Sequence, residues 1–155
     1  MKTTRSLLVA LSVWFAATAL CFGSSMQMGT WKLNEAKSKS PAGGAKNSTV
    51  IYSAEGKKTK VVVEGTAADG KAYRATWVGM FDGKAYPIKG YPLADAFAYK
   101  MANDRTLDIT GMKAGKMVFS GTIKVSADGK SRVVETTLVG ADGKKVKSKN
   151  VYDRA

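Results

Sequence analysis

The chain has 155 residues, 25 Lys and Arg against 12 Asp and Glu, a formal net charge of +13, no histidine and one cysteine. Without histidine, the commonest general base, the usual zinc and copper ligand sets and the Ser-His and Cys-His nucleophile systems drop out. The composition therefore points to a protein that is not an enzyme and needs no metal or other cofactor, with a surface suited to anionic surroundings.

Lys2 and Arg5 precede an apolar run from Ser6 to Leu20, rich in Leu, Val, Ala and aromatic residues. A basic n-region before a run too short to span a membrane, which needs roughly 20 apolar residues, is expected to be a secretory signal peptide. Small residues place its cleavage after Gly23 or Ser25, giving residues 1–23 as the signal and 24–155 as a single domain, periplasmic or secreted, with no membrane span once the signal is cut. Cys21 as the acylated first residue of a lipoprotein is the alternative, disfavoured because Leu20 before it is not small. Removing Lys2 and Arg5 with the signal takes the charge from +13 to +11. A cysteine-free mature chain must be held by its apolar core. Its cationic surface would meet an anionic envelope component before nucleic acid, which is rarely encountered outside the cytoplasm; the plainer reading is that the lysines keep a β-rich protein soluble and its edges unpaired.

The mature chain reads as all-β. Stretches rich in Val, Thr, Ile, Tyr and Phe, often alternating apolar with polar residues, predict strands at residues 30–34, 49–54, 60–66, 73–80, 85–88, 95–101, 106–112, 116–126, 132–140 and 146–153. Asp-Gly-Lys recurs at Asp69, Asp82, Asp128 and Asp142. Asp-Gly suits a two-residue type I′ turn, so each repeat predicts a hairpin tip; Glu55-Gly56-Lys57, Asn103-Asp104-Arg105 and Ala114-Gly115-Lys116 predict three more. Residues 35–48, with Pro41, Gly43 and Gly44, read as a flexible loop, and residues 89–94, with Gly90 and Pro92, as a second irregular connection. Strands joined by short tips pair in sequence order, and an antiparallel up-and-down meander of about 8 to 10 of them curls into a barrel that removes its own edges. Alternation turns Tyr73, Ala75 and Trp77 inward, then Met117, Phe119, Ile123 and Val125, then Val134, Thr136 and Leu138. Glu64, Asp108 and Glu135 fall within strands, where an outward, ion-paired carboxylate is expected.

The mature domain opens Gly29-Thr30-Trp31-Lys32-Leu33 and ends Val151-Tyr152-Asp153-Arg154. These ends resemble those of a calycin-type barrel, the group of lipocalins and fatty-acid-binding proteins, and the whole chain is similar in style to the lipocalin-like proteins exported by many bacteria. The resemblance implies a lipocalin-like barrel with Trp31 plugging its base and joined there to Tyr152 and Arg154. It departs from fatty-acid-binding proteins in having a loop at residues 35–48 in place of two lid helices. Their carboxylate-binding Arg-x-Tyr would fall on Asn150-Val151-Tyr152, where only Tyr152 matches.

Two functions follow. The first is a monomeric barrel binding a small apolar or amphipathic ligand among Tyr73, Trp77, Phe97, Tyr99, Phe119 and Leu138, since such ligands sit in concave, mostly apolar barrel mouths. The second is an envelope-interacting or inhibitor protein with a filled core and a cationic surface.

Overall fold

Side chains alternate between the two faces of a strand, so stretches with one apolar face, joined by short turns, roll up until that face is enclosed. In the computed structural model, which describes residues 25–155, ten strands do this: β1 (Gly29–Lys39), β2 (Lys46–Glu55), β3 (Lys58–Thr66), β4 (Ala72–Gly79), β5 (Asp82–Lys89), β6 (Ala96–Asn103), β7 (Thr106–Lys113), β8 (Lys116–Val125), β9 (Ser131–Val139) and β10 (Lys145–Arg154). Each pairs antiparallel with the next, and β1 pairs with β10, so the sheet closes. The fold is the expected antiparallel meander barrel, with no helix among the described residues. The expected signal segment and Cys21 lie outside the described residues.

The Asp-Gly turns differ from expectation. A type I′ turn needs positive φ at both central residues, yet none of the four aspartates has it. Instead each carboxylate accepts the N–H two residues on at 3.0 Å, at Lys71, Lys84, Lys130 and Lys144. At three of these sites the glycine N–H bonds back to Ala67, Ser126 or Gly140 at 2.9 to 3.0 Å, which leaves only the glycine left-handed. The carboxylate holds its own backbone in a type I conformation. Asp82 is not at a tip, because β5 already begins there and Met80 and Phe81 make the β4–β5 link. The tip with two positive φ values is Ala114-Gly115, at 49° and 76°.

Two further expectations need correction. The loop read at residues 35–48 is only 40–45, because β1 continues to Lys39 across a register shift. Ser38 bridges that shift: its Oγ accepts the Val151 N–H at 2.9 Å and donates to the Asn34 carbonyl at 2.7 Å. Met117 faces outward, 51% exposed, since the β7–β8 register shifts between Gly111 and Met112 and reverses the parity ahead of Phe119.

Inside the barrel, β3 contributes Val61 and Val63, β4 Ala75 and Trp77, β6 Phe97 and Tyr99, and β8 Phe119, Ile123 and Val125, all buried. The Trp77 and Tyr99 rings meet edge to face with centroids 4.8 Å apart. Phe81 stacks on Trp77 at 6.3 Å, and Phe97 meets Phe119 at 5.5 Å. Such pairs add about 0.5–1.5 kcal/mol each to simple burial. They reinforce the side of the barrel where β4 and β5 are joined only through Thr76 with Lys89 and Trp77 with Ile88.

Candidate functional site: the barrel interior

The meander gives the barrel two distinct ends. β1 runs from the base to the top, so the segment before β1, the turn at 126–130 and Arg154 share the base. The stretches 40–45, 90–95 and 140–144 share the top.

The base is closed by polar groups around one indole. Trp31 is fully buried and its Nε1 donates to the Gln27 carbonyl at 2.7 Å. The buried Gln27 side chain donates from Nε2 to the carbonyls of Arg105, at 3.2 Å, and Ile123, at 3.3 Å, tying the entering segment to β8 and the β6–β7 turn. Arg154, opposite Trp31 in the β1–β10 register, lies 4.2 Å from the ring centroid. It donates to the carbonyls of Gly129 from Nε at 2.6 Å, Met28 from Nη1 at 2.5 Å and Met26 from Nη2 at 2.6 Å. Of the three residues expected at the base, Trp31 and Arg154 meet directly, and Tyr152 lies opposite Leu33 on the same β1–β10 ladder.

Above this floor lies a cavity of about 350 Å³. Its wall is mainly apolar, with Val50, Tyr52, Phe97, Tyr99, Ile109, Phe119, Val134 and Leu138, and the 40–45 loop, Tyr91, Leu93 and Val146 surround its upper end. Asn47 gathers polar contacts near the top: its side-chain oxygen accepts the Tyr73 hydroxyl and, at 3.5 Å, that of Tyr91, while its carbonyl accepts Tyr152 Oη at 3.1 Å.

At the cavity floor stands Arg132, 2% exposed. Its guanidinium carbon is 4.9 Å from the Trp31 ring centroid, 5.0 Å from Tyr52 and 5.1 Å from Tyr152. Nη1 donates to Gln27 Oε1 at 3.4 Å, and Nε has no partner among the described residues. Burial holds the Tyr99 hydroxyl well above its ordinary pKa, with Tyr52 adding to the rise. Burial does the same for Tyr152 against the opposing pull of Arg132. These phenols stay neutral at physiological pH and supply no interior negative charge.

Of the six residues expected to line a ligand site, Phe97, Tyr99, Phe119 and Leu138 are on the cavity wall. Trp77 is buried behind Tyr99 and donates its Nε1 to the Phe97 carbonyl at 3.1 Å, so it supports the wall without lining it. Tyr73 is half-buried, edge-on to Tyr91 at 5.6 Å, and also lies outside the lining. The residues not singled out from sequence are Gln27, Asn47, Tyr52, Tyr91 and Arg132. Arg132 had a signal: it shares strand parity with Val134, Thr136 and Leu138, all taken as inward.

These observations define a closed, ten-stranded antiparallel meander barrel with an interior cavity. Solved structures similar to it include a redesigned beta barrel, mFAP1, bound to DFHBI, 16% identical over 83% of this chain and 95% of that one, with a TM-score of 0.46. Another is EF1p2_mFAP2b bound to DFHBI, 14% identical over 84% of this chain and 94% of that one, with a TM-score of 0.49. No protein-family model matches the chain, and no curated protein matches it.

Proposed function

We propose that this chain is an exported, lipocalin-like binding protein that holds one small apolar or amphipathic molecule inside its barrel and performs no chemistry on it. The observation that carries this reading is the cavity of about 350 Å³, walled by aromatic and aliphatic side chains and bounded above by a loop of small residues. That volume is within the range of roughly 300–1,000 Å³ usual for small-molecule sites. Export rests on the composition of residues 1–23, and the basic surface suits an anionic envelope. Barrel closure leaves no free strand edge for a second copy, which favours a monomer. The competing reading, an interaction protein with a filled core, is disfavoured by the same cavity.

Native mass spectrometry of the protein purified from its own host, followed by solvent extraction, tests the reading. The expected result is a single-molecule mass excess that extraction removes. A protein that carries no adduct, and takes up no apolar dye such as Nile red, would overturn it.

A further inference from the structure

We infer that the outer wall at β10 and the end of β1 is a docking face for a linear acidic polysaccharide, held by Lys39, Lys145, Lys147 and Lys149. The face lies on the other side of the sheet from the cavity, so the inference goes beyond the binding reading and is independent of what the barrel holds.

Strand parity places the cations. On β10, Val146, Ser148 and Asn150 line the cavity, so Lys145, Lys147 and Lys149 around them point outward, and all three are exposed. Alternate residues of a strand stand about 7 Å apart, which makes these lysines a row about 14 Å long. Lys39 is the register partner of Lys149 across the β1–β10 ladder and adds a fourth ammonium to the same face. Like charges directly opposite each other destabilise a sheet.

Elsewhere on the wall the register sets cations against carboxylates: Lys32 faces Asp153, Glu55 faces Lys58, Glu64 faces Arg74 and Lys100 faces Asp108. In the row, Lys145 faces Val139 and Lys147 faces Thr137, and among the described residues Glu135, 3.5 Å from Lys149, is the one carboxylate paired with it. Lys113 also faces Lys116, but at a hairpin tip where Asp95 accepts the Ala114 N–H at 2.9 Å and supplies a negative charge. Lysines kept only for solubility need no row, because scattered or paired cations serve as well without facing like charge. A linear polyanion lays successive negative charges along the row and offsets the repulsion within it.

The surroundings narrow the polymer. The outward residues beside the lysines are Thr137, Val139 and Val151. They offer no aromatic ring on which the bases of a single-stranded nucleic acid could stack, and no large apolar side chain to enter a lipid surface. The carboxylate or sulfate of a sugar needs only the ammonium donors.

The test is biolayer interferometry of the purified protein on immobilised alginate, which carries a carboxylate on every sugar, in buffer containing a chelator. Binding is expected at low salt and should weaken as salt is raised. Lys39→Gln, Lys145→Gln and Lys147→Gln together should weaken it at least about tenfold. Lys57→Gln, Lys58→Gln and Lys60→Gln together remove the same charge at the base and should change it by less than about threefold. Equal losses in the two variants would show that net charge alone binds the polymer, and would overturn the inference. So would an absence of binding at low salt. Tighter binding of an oligothymidylate or of phosphatidylglycerol vesicles through the same lysines would overturn the polysaccharide as the occupant. The row variant should melt no lower than the parent, because it relieves the repulsion between Lys39 and Lys149. Should it melt lower, the unmodified protein decides: alginate should shift the amide resonances of residues 39 and 145–149 and leave those of 57–60 in place, and shifts spread evenly over the barrel contradict the inference.

Discussion

The base and the top of the barrel are made from opposite materials. At the base, Gln27, Trp31 and Arg154 interlock: one indole N–H, one amide and one guanidinium bind six backbone carbonyls between them. At the top, the 40–45 loop is Ser40-Pro41-Ala42-Gly43-Gly44-Ala45, mostly exposed, with the bond from the Gly44 N–H to the Pro41 carbonyl at 3.3 Å. The difference teaches that stability and access are assigned to separate ends. Loops with few buried contacts open at low cost, while a base fixed to several strands opens only as the barrel unfolds.

The sharpest way to break this comparison is at Trp31. Trp31→Ala should lose about 3–5 kcal/mol in denaturant melts, the range for deleting a buried large aromatic. Arg154→Ala should lose about 1 kcal/mol, because its bonds are at the rim where water replaces them. If the two variants are equally stable, the base is not organised around the indole.

Arg132 stands at the same end and should behave differently. Arg132→Met keeps much of the aliphatic packing and removes a buried, unpaired cation, so the ligand-free protein should come within about 1 kcal/mol of the parent or exceed it. A loss as large as that of Trp31→Ala would make Arg132 a structural plug.

At the top, Leu138→Trp adds bulk beside the cavity at a half-buried site. It should change stability by less than about 1 kcal/mol while reducing uptake of an apolar dye by roughly tenfold. Equal uptake by variant and parent would place the entrance elsewhere.

The smallest effect concerns the basal turn at Asp128, whose carboxylate accepts Ser126 Oγ at 2.5 Å and the Lys130 N–H at 3.0 Å. The Ser126 hydroxyl, followed by the Lys130 N–H, holds its pKa below the ordinary carboxylate value. A depressed folded-state pKa stabilises above the unfolded value of about 3.9 and loses that contribution as pH falls through the lower folded value. The melting temperature of Asp128→Ala should therefore fall slightly below the parent's at neutral pH and converge with it in acid; a gap that persists in acid would contradict this.

Much of the barrel was legible because strand alternation and turn residues are local signals. Phe97, Tyr99 and Phe119 could be assigned to the interior by counting in twos. Met117 could not, since the bulge that turns it outward is set by how β7 pairs with β8. The Asp-Gly turns were located more successfully than typed, because the aspartate's own hydrogen bond competes with the left-handed conformation. Arg132 was legible in parity alone. A charge next to a turn reads as solvated until it is known that Gln27, 105 residues away, folds across the base and shuts out the water.

The central claim is that the interior is polar and charged at its closed end and apolar toward the open one. It is tested most directly by intermolecular nuclear Overhauser contacts between dodecan-1-ol and the protein. The account predicts contacts from the terminal methyl to Leu93, Leu138 and Val146, and from the protons beside the hydroxyl to Tyr52 and Tyr152. A terminal methyl found against Trp31 and Tyr152, with the hydroxyl at the 40–45 loop, would contradict it.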